Sequence, residues 1–551
     1  MTCDILIVGG GTGGCAAAMA ACSLGFRVIL TEETLWIGGQ LTAQGVPPDE
    51  HPWIEEFGCT RRYRQFRNRV RQWYRDNRDI ASPTSAFNPG GGWVSRLCCE
   101  PSVAHEVLRD MLWAEGRGNL ELLLRHKPVS ATVHNDRVES VTLWNLDDDT
   151  EITISAKFVL DATELGDLLP LAGAEYVSGA ESRAETGEPN AVEGPPQPNN
   201  VQGLTWCFAM SFSPSSLGEE GVGGWRVPAD YTKWRAFKPD FWPGPLLGFE
   251  VLHAHTGEPR TLPLFRSDGD PYALFSYRQI VNPAIYTEAP SPPSPLSRGE
   301  RGSIGPVTLV NWPQNDYFEA SIIDVDPPGS RSAFPGASGP VSEARLKDSI
   351  QLSLSLFHWL RTEAPRHDGG VGYPELALWD AFPLGRDAQA TGAFALYPYI
   401  RESRRIRAKF TVFEQHVAAY TNPGLDRAPG FADSIGIGAY RIDLHPSTSG
   451  ANMIDTSTLP FQIPLGALIP VRMKNLLPAC KNIGTTHITN GCYRLHPVEW
   501  NIGEVAGLLA CYCLQKAYEP SQVGESPGEF QGLVASQGIE LAWPDVPLRA
   551  L

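Results

Sequence analysis

A run of glycines between two contrasting segments constrains the fold of this chain more than any other feature. Residues 4–8 (Asp-Ile-Leu-Ile-Val) form a short apolar run, as a buried parallel strand does. After the glycines at 9–11 comes an alanine-rich stretch, 12–24, that is typical of a helix and is followed by a glycine stop. Residues 26–30 form a second apolar run. The sequence therefore predicts a strand–helix–strand unit at its start.

The glycines at the end of the first strand follow the spacing G-x-G-x-x-G. Gly9 permits a tight turn, Gly11 lets the backbone approach a pyrophosphate, and Gly14 lets helix and strand pack closely. The positive end of the helix then faces the phosphate charge, so Thr12 and Gly13 belong to the same expected binding loop. The alternative is a glycine-rich turn without a ligand, which the strand, the helix and the acid that follows them disfavour.

An acidic residue closes the second strand where a ribose is expected. Glu32 follows the glycines by about twenty residues, so its carboxylate can accept hydrogen bonds from ribose hydroxyls, and Glu33 stands beside it. A carboxylate there repels a 2′-phosphate, which disfavours NADP. The pattern predicts a dinucleotide with an unphosphorylated ribose and leaves FAD and NAD both open.

Charge and composition limit the partners of the chain. Its formal net charge is −17, and such a field repels phosphate backbones, so we expect no nucleic acid as a main partner. The 551 residues with 42% hydrophobic content predict two or three packed units. The longest apolar stretches span roughly ten residues, about half of what crosses a bilayer, so we expect no membrane segment.

The first residues and the cysteines indicate a reducing compartment. Met1 leads within a few residues into a strand, without the charged region and cleavage site of a secretory signal. Eleven cysteines are scattered along the chain, and no C-x-x-C pair suggests a zinc or redox site. We therefore expect reduced thiols, no metal and a cytoplasmic location. The oligomeric state stays open.

A basic segment lies between residues 61 and 75. Seven arginines alternate with aromatic residues, and Tyr63, Phe66, Val70 and Trp73 fall at helical spacing. The pattern predicts an amphipathic helix with a solvated charged face. A basic surface for an anionic partner is the alternative.

Periodicity predicts further elements along the chain. Helices are expected at 102–115 and 343–362, and residues 287–306, rich in proline and serine, predict a mobile surface loop. Residues 119–160 alternate as a small β-meander does, with strands expected at 120–124, 129–133, 138–143, 152–154 and 158–160.

Three further segments decide between the two dinucleotides. Residues 35–42 read Leu-Trp-Ile-Gly-Gly-Gln-Leu-Thr, and 158–168 read Phe-Val-Leu-Asp-Ala-Thr-Glu-Leu-Gly-Asp-Leu. In 475–507, Arg494 precedes a helix with closely spaced glycines. Together they resemble the superfamily of glutathione reductase and succinate dehydrogenase flavoproteins, and within it the FAD-dependent oxidoreductase family. The resemblance runs over nearly the whole chain, with Glu164 in place of the family's usual glycine.

The resemblance implies a Rossmann-type α/β fold with a central parallel sheet, a small β-meander and an inserted mixed α+β substrate domain. It divides the chain into a discontinuous FAD-binding domain (1–175 and 460–520), a substrate domain (176–459) and a C-terminal tail (521–551). Besides the glycine loop and the two glutamates, it implies cofactor contacts at Gly39, Gln40, Asp161, Ala162, Thr163, Asp167, Asn490, Arg494, Pro497 and Asn501.

The same comparison limits how the flavin is held and used. Disulfide reductases of the superfamily keep a cysteine pair after the second strand, and residues 33–58 contain no cysteine, which disfavours thiol–disulfide chemistry. Succinate dehydrogenase-like members attach the flavin to a histidine in the segment that corresponds to 40–45, which has none here. Noncovalent FAD is therefore expected.

Candidate catalytic residues cluster in the last third of the chain. Residues 399–405 (Tyr-Ile-Arg-Glu-Ser-Arg-Arg) resemble a family segment in which Arg401 and Arg404 would hold a substrate carboxylate or contact the flavin. A structural arginine–glutamate network is the alternative. His487 and His496 would move a proton near neutral pH, against the alternative of packed or solvent-exposed histidines.

The expected function is hydride transfer from an organic small molecule to flavin N5, by a dehydrogenase, oxidase or desaturase. A flavin-dependent monooxygenase is one alternative, although the chain has no second G-x-G-x-x-G for a nicotinamide. A non-catalytic protein that keeps FAD as a structural part is another. Flavin-dependent RNA modification also occurs in the superfamily, and the acidic charge opposes it.

Overall fold

The chain begins and ends in α/β structure and carries antiparallel strands in between. The computed structural model describes residues 1–82, 84–213, 226–253, 256–266, 273–287, 305–384, 391–450 and 453–551. Its strands are β1 Thr2–Val8, β2 Val28–Glu32, β3 Leu120–Leu124, β4 His126–His134, β5 Arg137–Asn145, β6 Glu151–Asp161, β7 Tyr176–Val177, β8 Leu204–Thr205, β9 Phe208–Phe212, β10 Glu250–Leu252, β11 Pro259–Thr261, β12 Gln279–Val281, β13 Val307–Val310, β14 Asp316–Tyr317, β15 Leu376–Leu378, β16 Arg405–Ile406, β17 Ser434–Gly438, β18 Ile442–Leu444, β19 Ile454–Thr456, β20 Phe461–Pro464 and β21 Leu476–Pro478. Its helices are α1 Thr12–Ser23, α2 Arg61–Asn77, α3 Pro101–Gly116, α4 Leu168–Leu171, α5 Arg183–Thr186, α6 Tyr231–Ala236, α7 Leu274–Tyr277, α8 Pro340–Thr362, α9 Glu414–Val417, α10 His487–Tyr493, α11 His496–Lys516, α12 Pro520–Glu525 and α13 Gly528–Ser536.

A seven-stranded sheet forms the centre of the fold. Its order is β3-β2-β1-β6-β5-β4, and β21 also pairs with β6. The pairs among β3, β2, β1, β6 and β21 are parallel, and β5 and β4 add antiparallel pairs. The carboxyl ends of β1, β2 and β6 therefore meet at one edge, where ligands bind in open parallel sheets. The predicted Rossmann-type α/β fold with a central parallel sheet is confirmed.

Two of the strand predictions are wrong. Residues 120–124 do form a strand, but β3 pairs in parallel with β2 at the edge of the sheet and does not join the meander. The strands expected at 152–154 and 158–160 are one continuous strand, β6, whose first part pairs with β5 and whose second part pairs with β1. Its pattern changes midway because the strand passes from the half-exposed meander into the buried parallel sheet.

The side chains of β1 alternate between two apolar cores. Ile5 and Ile7 pack in the core that contains α1, α3 and α11, whereas Leu6 and Val8 pack against the meander. In α1, every residue from Thr12 to Cys22 is buried. A helix that is covered all round needs small apolar residues on every side, which explains why α1 is rich in alanine and not amphipathic.

Helices α1 and α11 cross at glycines that are far apart in sequence. A Cβ atom on Gly503 would lie 2.0 Å from the carbonyl oxygen of Gly13, and one on Gly507 would lie 2.5 Å from that of Ala17. A Cβ atom on Gly13 would in turn lie 1.9 Å from the carbonyl oxygen of Ala479, just after β21. No side chain fits at these distances, so the two helix backbones touch directly.

A further apolar core lies in the middle of the chain. It is built around the four-stranded antiparallel sheet β12-β13-β9-β15 and helix α8, and its members lie between residues 201 and 400 apart from Ala43, Val46 and Leu165. Most buried apolar side chains between residues 412 and 469 belong instead to the core of α1 and α11, as do those of α12 and α13. The predicted domain limits stay a prediction, and packing places the change of core near residue 400.

The basic segment forms helix α2 and buries three of its arginines. Arg62, Arg67 and Arg71 are 4%, 0% and 2% exposed. Their carboxylate partners lie at 2.6–3.1 Å and are Glu50, Glu55 and Glu504. The predicted helix is confirmed, but its charged face is not simply solvated, because acidic side chains from the preceding loop and from α11 cover part of it.

Three smaller findings bear on the expectations from sequence. The loop expected at 287–306 falls mostly on residues 288–304, which lie outside the described residues. Within the described ranges, no helix combines the length and the apolar character needed to cross a bilayer. All eleven cysteines are unpaired.

Candidate active site

The glycine loop lies at the carboxyl end of β1 and opens a cleft. Gly9 has φ = +102°, which favours glycine, and a Cβ there would lie 2.2 Å from the carbonyl oxygen of Ala162. The first turn of α1 begins at Thr12, whose hydroxyl donates to the carbonyl oxygen of Gly38 at 3.0 Å. The cleft is lined by Gly9, Gly11, Glu32, Glu33, Gly39, Ala43, Gln44, His126, Pro128, Ala162, Thr163, Glu164, Asp167 and Tyr397.

Six of the lining residues were not among the predicted contacts. His126 and Pro128 come from β4, and Tyr397 comes from the middle of the chain, where its backbone N–H donates to the carbonyl oxygen of Ala43 at 3.2 Å. No motif marks His126, Pro128 or Tyr397. They line the cleft only because of the strand order in the sheet and the packing between the cores. The six are Ala43, Gln44, His126, Pro128, Glu164 and Tyr397.

The two glutamates after β2 have different surroundings. The Oε2 atom of Glu32 accepts from the backbone N–H of Gly10 at 2.9 Å, and its Oε1 atom accepts from that of Thr34 at 2.8 Å. Burial raises the pKa of Glu32 to about 7. The Oε1 atom of Glu33 instead accepts from Lys127 Nζ at 2.8 Å and from the backbone N–H of Gly336 at 3.0 Å. Glu32 thus stabilises the glycine loop through its hydrogen bond to Gly10. Glu33 connects β2 to β4 through Lys127 and to the middle of the chain through Gly336.

The Asp-Ala-Thr segment forms a turn at the end of β6, and the buried side chain of Asp161 stabilises this turn. Its Oδ1 atom accepts from the N–H and the hydroxyl of Thr163 at 3.0 and 2.7 Å, and its Oδ2 atom accepts from the N–H of Leu168 at 3.2 Å. Asp161 is fully buried, and burial raises its pKa to about 7. The turn presents Thr163 and Asp167 to the cleft.

Glu164, which stands where the family usually has glycine, lies beside the glycine loop. Its Oε1 atom is 2.8 Å from the positions that a Cβ would take on Gly11 and on Gly39, and its Oε2 atom pairs with Lys481. Lys481 is buried, which opposes its charge, but Glu164 and Glu499 outweigh that and raise its pKa. The buried Lys481 therefore balances the carboxylate that this chain adds to the cleft.

Several buried polar atoms of the cleft, of Gln40 and of the C-terminal segment 475–507 have no hydrogen-bond partner among the described residues. Each such atom costs about 1–3 kcal/mol when it stays unpaired, so a set of this size indicates a polar ligand. The set holds donors and acceptors, as the ribityl, ribose and ring atoms of FAD require. Its members are Gln40 Oε1, both side-chain polar atoms of Gln44, Glu164 Oε1, His487 Nε2, Asn490 Nδ2, Arg494 Nε, His496 Nε2 and Glu499 Oε1.

Residues 475–507, which we call the closing element, contact the glycine-rich segment 35–42. Gln40 Nε2 donates to the carbonyl oxygen of Arg494 at 2.9 Å and to Glu499 Oε2 at 2.5 Å. Pro497 lies in the first turn of α11, and Asn501 Nδ2 donates to the carbonyl oxygen of Ile435 at 3.1 Å. The structure therefore brings Gln40 and Arg494 together, whereas Asn501 bonds to β17.

The guanidinium of Arg494 is held by two neighbours. Its Nη1 atom donates to the hydroxyl of Tyr399 at 2.5 Å, and its Nη2 atom donates to the carbonyl oxygen of Asp443 at 3.0 Å. Its Nε atom is buried and has no acceptor within the described chain. One N–H of Arg494 is thus available to a ligand.

His487 is paired with a buried glutamate. Its Nδ1 atom lies 3.0 and 2.9 Å from the two carboxylate oxygens of Glu402. Burial opposes ionisation of Glu402, but its interaction with His487 and the charge of Arg405 outweigh it and lower the pKa of this carboxyl to about 2. The Nδ1 atom therefore carries a proton toward Glu402. The buried Nε2 atom has no partner in the described residues.

In His496 the proton is on Nε2, whereas in His487 it is on Nδ1. The Nδ1 atom of His496 accepts from the backbone N–H of Asp49 at 3.0 Å, so its proton is on Nε2. Burial, together with the nearby charges of Arg278 and Arg494, lowers its pKa to about 3. The imidazole is neutral at physiological pH, and Nε2–H is a donor that no described residue accepts.

The Arg-Glu-Ser-Arg-Arg segment divides between two surroundings. Arg401 is 1% exposed and donates to Thr205 Oγ1 at 2.8 Å, next to Asp316 at 3.0 Å, while its Nε atom has no partner in the described part of the chain. Arg404 pairs with Asp324 at 2.7 Å and with Asp167 at 3.2 Å. Arg401 thus lies in a buried polar cluster, and Arg404 belongs to an ion-pair network that contacts the cleft through Asp167.

Three solved structures are similar to short parts of the chain. L-Proline dehydrogenase from P. horikoshii is 17% identical, with a TM-score of 0.18, over 33% of this chain and 25% of that chain. The myxobacterial chondrochloren halogenase CndH is 16% identical, with a TM-score of 0.22, over 38% and 44%. THI4 from Thermovibrio ammonificans is 19% identical, with a TM-score of 0.21, over 33% and 67%. The chain thus spans less than half the length of the first two.

A family model gives the broader match. A comparison with curated proteins finds none that matches. The family model described as FAD dependent oxidoreductase matches residues 4–534, from the first strand of the sheet to the last helix. That range includes the glycine loop, the turn after β6 and the closing helix described above. The chain therefore belongs to the FAD dependent oxidoreductase family.

Proposed function

We propose that the protein oxidises an organic small molecule by hydride transfer to noncovalently bound FAD, as a dehydrogenase, oxidase or desaturase. The observation that carries the proposal is the buried His487–Glu402 pair, whose Nε2 atom has no partner among the described residues. A dyad of this kind suits proton removal from a substrate that loses a hydride. When bound, FAD would supply the two-electron acceptor.

The residues that would hold FAD follow from the cleft. The glycine loop and the first turn of α1 would take the pyrophosphate, and Glu32 would take the ribose hydroxyls. Gln44 would bond to the cofactor through an amide whose two polar atoms are both free in the described structure. Asn490 and Arg494 each offer one unpartnered N–H at the closing element.

The two histidines would have different roles in the reaction. His487 can accept a proton at Nε2, since Glu402 holds the Nδ1 proton and would stabilise the resulting imidazolium. His496 stays neutral and donates from Nε2, so it orients an acceptor atom and does not act as a base. Among the arginines, Arg401 remains a candidate for the substrate side, and we assign Arg404 to the positioning of Asp167.

We also propose the cytoplasm as the location and a small molecule as the main partner. The eleven unpaired cysteines fit a reducing compartment, and the net charge of −17 opposes nucleic acid binding. The division into a cofactor domain and a substrate domain near residue 400 is part of the same proposal.

The first test of the proposal is the visible absorbance of the purified protein. We expect the purified protein to be yellow, to release FAD on heating, and to lose it in Gly11→Val, because a Cβ there would lie 2.8 Å from Glu164 Oε1. Anaerobic stopped-flow mixing with metabolite pools should bleach the flavin. A colourless protein that cannot be reconstituted with FAD would contradict the proposal. Bleaching only by NAD(P)H, with oxygen incorporated into a substrate, would instead favour a monooxygenase.

A further inference from the structure

Arg278 is a buried cation that forms no ion pair with any carboxylate of the described residues. It follows α7 and precedes β12, and it is 9% exposed. Its Nε and Nη1 atoms are buried and have no hydrogen-bond partner among the described residues. The guanidinium lies 5.3 Å from the centre of the Tyr277 ring.

The neighbouring buried arginines are paired, which makes Arg278 the exception among them. Arg401 lies 3.0 Å from Asp316, and Arg494 lies 3.5 Å from Asp443. An unpaired buried charge is strongly unfavourable, and proteins keep one where a ligand completes the pair. The missing partner of Arg278 is therefore expected to be an anion that enters the site.

Two of the groups near Arg278 offer unpartnered N–H donors among the described residues. His496 presents Nε2–H, and the charge of Arg278 contributes to keeping this imidazole neutral. Arg494, two residues before His496 in sequence, presents its Nε–H. The carboxyl whose charge acts most strongly on Arg278 is that of Asp49, which forms no ion pair with it. Burial raises the pKa of Asp49 and so opposes its ionisation, and its backbone N–H donates to His496. A ligand that satisfies this region must bring acceptors and negative charge.

We propose that Arg278 binds a carboxylate of the substrate through charge-assisted hydrogen bonds, with His496 Nε2–H as a further donor. The inference rests on the proposed function and names its substrate class, an organic acid. Carboxylate matches guanidinium in charge and in hydrogen-bonding geometry. Arg278 thereby orients the acid at the closing element, where the Gln40–Arg494 contact joins the two halves of the cofactor site.

The test uses the FAD-loaded protein and three matched probe pairs: glycolate and glycolamide, benzoate and benzamide, succinate and succinamide. Each is titrated at constant ionic strength while the difference spectrum of the bound flavin is recorded. We expect at least one carboxylate to perturb the flavin saturably, with its amide at least tenfold weaker. Arg278→Gln should weaken that carboxylate at least tenfold, and Arg278→Lys should do so less. Arg109→Gln, on the exposed face of α3, should leave it unchanged.

Thermal unfolding separates binding from a structural role. Because Arg278 forms no ion pair with a described carboxylate, Arg278→Gln should keep or raise the melting temperature, whereas Arg401→Gln should lower it by removing the guanidinium that pairs with the buried Asp316. The inference is overturned if no carboxylate binds to the wild type, if amides bind equally, if inorganic phosphate binds better than every carboxylate, or if Arg278→Gln loses FAD. A drop in melting temperature for Arg278→Gln as large as that for Arg401→Gln also overturns it.

Calorimetry distinguishes this inference from the proposed function. It measures carboxylate binding whether or not the protein is coloured. Carboxylate binding by a protein that never takes up FAD would contradict the proposed function alone. FAD uptake without carboxylate binding would contradict this inference alone.

Discussion

The Nδ1 atom of His487 lies 2.9 Å from Oε2 and 3.0 Å from Oε1 of Glu402, in a site where both side chains are almost completely buried. The carboxylate fixes which ring nitrogen carries the proton, and so leaves Nε2 as the atom that can take one up. Substitution of Glu402 is therefore the most direct test of the proposed proton transfer.

Glu402→Gln should slow flavin reduction by about 10²–10⁴-fold with any donor that reduces the wild type. The amide keeps the shape of the side chain but no longer stabilises an imidazolium. FAD content should stay the same, and stopped-flow absorbance gives the rate. A variant that keeps its FAD and is reduced within twofold of the wild-type rate would remove His487 from the mechanism.

Gly503→Ala should destabilise the protein by about 3 kcal/mol or more, because its Cβ would lie 2.0 Å from the carbonyl oxygen of Gly13. The matched control is Gly532→Ala in α13, where a Cβ would meet nothing within 4 Å. The control should gain about 0.5–1 kcal/mol from helix propensity. Denaturant unfolding measures both, and equal effects in the two variants would disprove the direct backbone contact.

Arg67→Met should cost about 3–5 kcal/mol, since it leaves the buried Glu50 without its cation. Arg69→Met, on the exposed face of the same helix, should change stability by less than about 0.5 kcal/mol. Thermal and denaturant unfolding of the two variants can be compared directly. Similar losses of unfolding free energy in both variants would show that the total charge of α2, and not its buried ion pairs, stabilises the helix.

Glu32 should make the cofactor-free protein less stable as the pH rises. Its pKa is about 7 in the folded protein against an ordinary value of 4.5. A raised carboxyl pKa contributes stability that is fully present below pH 4.5 and is lost as the pH rises through 7. The difference in unfolding free energy between Glu32→Gln and wild type should therefore move in favour of the variant between pH 5 and 8. A difference that stays constant over this range would contradict the burial of Glu32.

The parallel sheet was predictable from sequence because each buried strand is marked by its neighbours. The apolar run at 4–8 ends in glycines and the run at 158–160 ends in Asp161, so both carry their position at the sheet edge in local signals. The cofactor loop and the turn after β6 follow for the same reason. The pairing of β3 was not predictable, since a short apolar strand fits a sheet edge as well as a meander.

The features that sequence reasoning missed depend on which side chains, distant in sequence, do or do not lie beside a residue. Arg278 has no motif, and its importance comes from the lack of a carboxylate beside it in the described structure. The burial of Arg67 depends on Glu50 and Glu55 folding over α2, which a helical repeat of arginines does not reveal. The proton positions on His487 and His496 likewise depend on partners that lie far away in sequence.

The contact between Gly13 and Gly503 sets the order in which a new chain can acquire its cofactor. During synthesis the glycine loop leaves the ribosome long before the helix that supports it, because Gly13 and Gly503 are far apart along the chain. Contacts so distant in sequence form late in folding. The FAD-binding cleft therefore cannot form before α11 has been synthesised. FAD binding then indicates that α11 has been made and has folded against α1.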